Sequence, residues 1–417
     1  MFSGAKMGAF IAARRRMLGA TQQKMADALG VTFQAVSKWE TGQSSPDTAL
    51  LSDLAHFLGV TADELLNGEE RPESAFTYRR AGVDISYTDV IKRDMAELVR
   101  TRDARVLNGL GPFAAVYDIH FPEYVHPVLV LKNEEPGSKQ KLAMEYGYTE
   151  SICHDMINHL INDIAVMGAR PLAVLDTIVC GRAERDTIRT LVRGMADACR
   201  ENFCSLVGGE TSIQPQVVED GVYVLSASVA GIAEREQIID GSAVREGDAL
   251  ICLASNGLHT NGYSLVRLLL ERKPQLKLAR VGRETFLEAV MRPHTPYYPA
   301  LRDVLPGGGV TAMAHITGGG IEGNLSRVIP DGLTAHIDLS QLEIPQVFSR
   351  IRAEGAVPDG EMLSTFNCGA GLIMAVRSDA AARILEQLSP VHRCYRIGDV
   401  RVGAQKIAFS GNVRWER

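Results

Sequence analysis

The sequence predicts an all-α N-terminal domain followed by an α/β body of two domains. Three observations carry this. Residues 8–66 are compact, rich in Ala and Leu, and patterned at helical spacing. A polar stretch with Gly and Pro, Asn67-Gly68-Glu69-Glu70-Arg71-Pro72-Glu73-Ser74, breaks that pattern and reads as a linker over 67–77. From about Tyr78, short apolar runs such as 127–131 alternate with helical patterns and Gly-rich turns, as an α/β body requires. A second break falls near 237, between a strand-like run at 222–231 and a new one at 248–253. It divides the body into 78–237 and 238–415.

Bulk properties bound the reading. At roughly 100–200 residues per domain, 417 residues make two to four domains. An apolar fraction of 46% is enough for real cores. The net charge of −6 excludes a molecule that binds nucleic acid through overall basicity, so any DNA contact must come from a local patch. No run approaches the roughly 18 apolar residues of a membrane helix, and no secretory signal is visible, so we expect no membrane role. The seven cysteines are scattered, odd in number and free of any C-x-x-C pair, which points to a reducing cytoplasm and no structural zinc.

Residues 10 to 66 read as five helices. The first carries Ile11 and Leu18 inward and Arg14, Arg15 and Arg16 outward. Thr21 caps a second helix, 22–29, because its hydroxyl can accept from a free backbone N–H; Gly30 ends it in a left-handed conformation. Thr32 caps the third helix, 33–40, which Gly42 ends. Asp47 opens a fourth with Leu50, Leu54 and Leu58 at helical spacing, and 60–66 makes a short fifth. Two short helices about a tight Gly turn form a helix-turn-helix, whose second helix can enter a major groove.

The run T-Q-Q-K-M-A-D-A-L-G-V-T-F-Q-A-V-S-K-W-E-T-G, followed by Pro46 and Gly59-Val60-Thr61, resembles the Cro-like phage-repressor family over about 60 residues. The resemblance implies double-stranded DNA as a partner. It places Gln22 at the DNA backbone or a base edge and Thr32, Phe33, Gln34, Ser37 and Lys38 at the exposed recognition positions. Gln suits adenine and Lys suits guanine. Arg14 to Arg16, Lys24 and Lys38 supply the local basic surface, while Met25, Leu29, Val36 and Trp39 belong to the core. A small helical interaction domain is the alternative, since acids slightly outnumber bases in the module.

The body is punctuated by Gly-rich polar segments: Gly208-Gly209-Glu210-Thr211, Ser255-Asn256-Gly257-Leu258-His259-Thr260-Asn261-Gly262, Thr317-Gly318-Gly319-Gly320 and Thr365-Phe366-Asn367-Cys368-Gly369. Each alone reads as a turn. Together they point to a phosphorylated ligand, because glycines let backbone N–H groups approach phosphate oxygens. Asp155, Asp163 and Glu210 offer carboxylates of the kind Mg2+ prefers.

These segments, in order and spacing, resemble the aminoimidazole ribonucleotide (AIR) synthase family from residue 78 to about 415. The resemblance implies two α/β domains, a homodimer joined through the N-terminal sheets, and Mg2+ and ATP as cofactors. It further implies ATP-dependent closure of formylglycinamidine ribonucleotide, a purine-pathway ribonucleotide, to the imidazole. It makes His259 the acid/base. Asn261, Gly208, Gly209, Thr211, Thr317, Gly318 and Gly319 become ribonucleotide- or phosphate-binding residues, with Glu134, Asp163 and Glu210 as metal ligands.

The family's nucleotide loop, D-G-V-G-T-K, aligns with Glu134-Glu135-Pro136-Gly137-Ser138-Lys139. Gly137, Ser138 and Lys139 stay close to that pattern. Glu135 adds negative charge beside phosphates, and Pro136 removes a donor and fixes φ. Ala96 and Ile213 replace a lysine and an acid of the family pattern. Two readings stand: an active cyclo-ligase with a DNA-binding module, and a transcription regulator whose impaired body senses a purine intermediate or nucleotide.

Overall fold

The computed structural model describes residues 4–69, 77–78, 81–101 and 103–415. The chain forms two compact units, Met1–Asp89 and Val90–Arg417. Most of the expected linker lies outside the described residues. Among those residues no helix is long and apolar enough to cross a membrane.

The first unit holds α1 (Gly4–Met17), α2 (Gln22–Leu29), α3 (Phe33–Glu40), α4 (Leu51–Leu58) and α5 (Ala62–Asn67). Thr21 accepts from Lys24 N and Thr32 from Ala35 N, and Gly30 ends α2 with φ of 64°. Met7, Ile11, Met25, Val36, Trp39, Leu54, Leu58 and Leu65 make its core. Several expectations need correction. α1 begins at Gly4 and buries Met7, ahead of the expected domain start at 8. Leu18 lies just beyond α1 and is 51% exposed rather than inward. Asp47 caps a single 3-10 turn, Thr48–Leu50, that leads into α4. Arg15 does not face outward: its guanidinium forks onto Glu40, which also accepts from Gln22 Nε2 at 2.7 Å.

Helix α6 (Ile85–Leu98) precedes the sheets. The second unit then runs β1 (Pro127–Glu134), α7 (Lys139–Tyr146), α8 (Ser151–Ala165), β2 (Arg170–Cys180), α9 (Arg185–Glu201), β3 (Ser205–Ile213) and β4 (Tyr223–Glu234). Its first sheet has the order β1-β4-β2-β3, with only the β2/β3 pair parallel. β1 and β3 are therefore opposite edges. α8 buries most of its length against this sheet.

The second sheet is built from β5 (Ala249–Ala254), β8 (Val310–His315), β9 (Leu333–Asp338), β10 (Ala370–Val376), β11 (Cys394–Val402) and β12 (Ile407–Ser410), while β6 (Arg280–Val281) and β7 (Glu284–Thr285) form a separate two-residue pair. The order of the second sheet is β12-β9-β11-β5-β10-β8. β10 is buried at every position and β5 at all but its last, so both read as continuous apolar runs rather than alternating ones. The helices flanking it include α10 (Tyr263–Arg272), α11 (Phe286–Met291), α12 (Tyr298–Val304) and α13 (Gly320–Leu325). The fold is the expected one: a helical domain followed by two α/β sheets.

Candidate functional site

Helical spacing on α8 sets the site. Asp155, His159 and Asp163 follow one another at four-residue steps and so share a face. Beside them, Asn158 Nδ2 donates to His294 O at 2.7 Å and Asn162 Nδ2 to Thr295 O at 2.9 Å. In return, His294 N donates to Asp155 Oδ1 at 2.8 Å and Tyr297 N to Asn162 Oδ1 at 2.9 Å. These four buried bonds pin the 294–297 segment to α8. The last residue of β8, His315, and the loop carrying His259 and Thr260 complete the group.

Four imidazoles meet there. His315 Nδ1 lies 2.7 Å from Asp163 Oδ1, and its Nε2 lies 2.8 Å from His294 Nε2. Thr260 Oγ1 stands 3.0 Å from His159 Nδ1. His259 stacks on His294 with ring centroids 3.9 Å apart, and its Nε2 reaches Thr295 Oγ1 at 3.2 Å. The His259 Nδ1 atom is buried with no hydrogen-bond partner. Burial, then the neighbouring His315 charge, brings His159 down to about 4 and holds His259 well below the usual imidazole range. Burial alone would raise Asp163; the His315 hydrogen bond and the nearby cations outweigh it and hold the carboxyl well below the usual range. On the open side, Lys132 Nζ bridges Glu134 Oε2 at 3.0 Å and Asp163 Oδ2 at 3.1 Å.

The structure gathers part of the expected set here. Glu134 ends β1 within this group. A Cβ on Gly137, which has φ of 60°, would stand 3.5 Å from Thr260 O. Asn261 abuts Gly318, where an added Cβ would lie 3.1 Å from Asn261 Oδ1. Gly318 and Gly319 line a cleft of about 560 Å³ with Gly262, Ser264, Glu361 and Thr365. Thr317 is held from behind by Asn324, whose amide donates to Thr317 O, Gly318 O and Gly320 O. Ser138 precedes α7 without a capping bond.

Lys139 takes a place the sequence reading did not give it. It is fully buried, and its three N–H bonds go to Asp155, His259 O at 3.2 Å and Arg292 O at 2.6 Å. No donor is left for a phosphate. Burial works against both charges, pushing Asp155 up to about 6 and Lys139 down. The close contact and the two carbonyls favour the ionised pair.

Gly208, Gly209, Glu210 and Thr211 form no turn. They lie within β3, at the edge of the sheet away from β1, where Thr211 Oγ1 meets Met95 of α6. Beside them is Asp176, a buried acid with an unpartnered Oδ2, whose carboxyl burial raises to about 7. A Cβ on Gly209 would fall 2.2 Å from Asp176 O, which explains the glycine. Sequence reasoning missed His159, His294, His315, Lys132 and Asp176. The His159/Asp163 spacing on α8 was a usable signal; the other residues join through contacts distant in sequence.

In comparisons with known proteins, residues 129–233 and 245–409 match the families described as AIR synthase related protein, N-terminal and C-terminal domain, and residues 11–65 match Helix-turn-helix. A phosphoribosylformylglycinamidine cyclo-ligase of Burkholderia cenocepacia (strain HI2424) is 39% identical over 329 residues, covering 78% of this chain and 93% of that protein. One of Xanthomonas oryzae pv. oryzae (strain PXO99A) is 41% identical over 332 residues, covering 78% and 96%. Among solved structures, E. coli HypE shares the fold with a TM-score of 0.57, 18% identity and coverage of 78% and 94%. Thiamine-monophosphate kinase from Stenotrophomonas maltophilia K279a does so at 0.54, 20%, and 80% and 98%.

Proposed function

The chain belongs to the AIR synthase (phosphoribosylformylglycinamidine cyclo-ligase) family, and on that premise we propose two activities. The body closes formylglycinamidine ribonucleotide to aminoimidazole ribonucleotide using ATP, and the N-terminal unit binds double-stranded DNA. The observation that carries the first is coverage: the match spans 93–96% of the cyclo-ligases' length, so it takes in a whole enzyme rather than a fragment. Seven free, buried thiols are in keeping with a cytoplasmic setting.

The cleft beside Gly318 and Gly319 has room for the ribonucleotide, and ATP is assigned to the 134–139 loop that the resemblance makes the nucleotide loop. When bound, ATP converts the formyl oxygen into a phosphate leaving group. The chain's part is to orient and to move protons. Backbone N–H groups at Gly318 and Gly319 and the Asn261 amide hold phosphate or ribose oxygens. His259, held neutral at pH 7 by burial, is the base assigned to the attacking nitrogen; its unpartnered Nδ1 is buried, so the 259–261 loop has to open for the substrate to reach it. The magnesium ligands expected from sequence fit less well. Glu210 lies on β3, whereas Glu134 and Asp163 already share an ammonium and are backed by imidazoles; Mg2+ prefers an octahedron of oxygens.

In the helical unit, Thr32 at the N-cap and Phe33, Gln34 and Lys38 on α3 are exposed, with Ser37 half-buried, while Val36 and Trp39 face the core. That leaves one side of α3 free for a groove. Leu129, Leu131 and Leu175 stand exposed on the first sheet, an apolar face that we assign to a second copy of the chain. The regulator reading draws on one observation: Lys139 is committed to Asp155, so the altered loop has lost its phosphate-facing cation.

Phosphate release and product formation with formylglycinamidine ribonucleotide and ATP test the enzyme reading. Turnover that His259→Ala abolishes is the expected result. If turnover is absent while the ribonucleotide alters DNA affinity, the enzyme reading fails and the regulator reading stands.

A further inference from the structure

We propose that His159, Asp163 and His315, with Glu134 as a fourth donor, form a site for a divalent first-row transition metal, and that Lys132 is the tethered cation this metal displaces. The proposal holds whether or not the body turns over.

The donor set decides the class of ion. Two imidazoles with one or two carboxylates suit Zn2+ or Co2+, whereas Mg2+ and Ca2+ call for oxygen alone. One donor atom from each of His159, Asp163 and His315 lies within 4.8 Å of the others. His159 Nε2 stands 3.9 Å from both Asp163 Oδ2 and Glu134 Oε2. Ligands about 2.0–2.2 Å from a tetrahedral ion sit about 3.4 Å apart, so a small side-chain adjustment closes the site.

Three further features point the same way. The position already favours positive charge, since the Lys132 ammonium sits between the two carboxylates. That side chain is 37% exposed and can swing into solvent when an ion enters. The second nitrogen of each imidazole is also held. His315 Nε2 can donate to His294 Nε2 while its Nδ1 faces Asp163, and His159 Nδ1 can donate to Thr260 Oγ1 while its Nε2 faces the carboxylates. Fixing the outer nitrogen in this way orients metal-binding histidines.

Two other groupings are weaker. The rings of His259 and His294 stack at 21°, so their in-plane lone pairs run nearly parallel and do not converge. His126, Glu234 and Glu236 cluster on the surface, where His126 is 66% exposed and nothing shapes a cavity.

The test uses the full chain, freed of metal by chelation and titrated with Co2+. We expect one ion per chain, ligand-field bands of a four-coordinate site, displacement by Zn2+, and no displacement by excess Mg2+. His159→Asn should weaken binding by at least about tenfold, and Lys132→Met should tighten it, because the competing ammonium is gone. His126→Asn should change nothing. The proposal is overturned if Co2+ does not bind stoichiometrically, if His126→Asn rather than His159→Asn removes the binding, or if Lys132→Met weakens it. Should His159→Asn fail to fold, the part-exposed Lys132→Met still decides.

Discussion

The recognition helix and the histidine centre are built on opposite principles. The ends of α2 and α3 are set locally, by Thr21, Gly30 and Thr32 as caps and turn, and Val36 and Trp39 then anchor α3 in an apolar core shared with α1 and α4. The centre draws on five separate segments, at 132–134, 155–163, 259–261, 294–295 and 315. It is held by buried polar bonds rather than apolar packing. The difference teaches what each can tolerate. Changes at the caps of α2 and α3 should act independently, whereas changes in the centre should couple, because each polar group there satisfies another.

The sharpest way to break this comparison is Lys139→Met. It strands Asp155 in the interior, and we expect a loss of about 3–5 kcal/mol in urea unfolding of the body, much of it recovered by adding Asp155→Leu. A loss below about 1 kcal/mol, or simple additivity of the two changes, would remove the distinction.

Asp176 gives the next largest effect, through pH. Its folded-state carboxyl is raised to about 7 from an unfolded value near 4. The native state therefore holds the proton more tightly, and this stabilisation is complete below about pH 4 and is lost as pH rises through 7. Asp176→Asn should flatten that slope, by on the order of a few kcal/mol across the window. Unchanged pH dependence of the melting temperature would count against it.

Smaller effects belong to the helical unit. Gln34→Ala and Lys38→Ala should each weaken specific DNA binding by about 1–3 kcal/mol, read from titrations of a selected site. Arg15→Ala should act differently from a simple phosphate contact. By freeing Glu40 and Gln22 it should lower the unit's melting temperature as well as its DNA affinity; an affinity loss with no change in melting would place Arg15 at the DNA instead. Thr32→Ala should cost about 1 kcal/mol through its lost cap, and should add to Thr21→Ala.

The same contrast explains what was legible in the sequence. Caps, turns and the register of α2 and α3 came out residue for residue, because a cap and its N–H are three residues apart. Arg15 was misplaced because its partner, Glu40, sits on another helix. In the body, strand order was not legible, and Gly137, His259, Asn261 and Gly318 were singled out only through the family resemblance. Gly208–Gly209 looks like a turn, yet Gly209 is small because the backbone of Asp176 on β2 lies against it. Lys139 looks like a phosphate ligand until α8 brings Asp155 to it. His294 and His315 gave no local signal, since neither lies near a carboxylate in sequence.

The cysteines carry a consequence of their own. All seven are buried and unpaired, and residues 1–69 contain none. An alkylating reagent can therefore mark a molecule only when its body opens, while the helical unit stays silent. Cys153, Cys180, Cys199 and Cys204 belong to the first sheet and its helices, and Cys252, Cys368 and Cys394 to the second. A brief pulse followed by mass spectrometry would sort molecules by the number of adducts they carry: four or three if one half breathes alone, seven if the two halves come apart only as one.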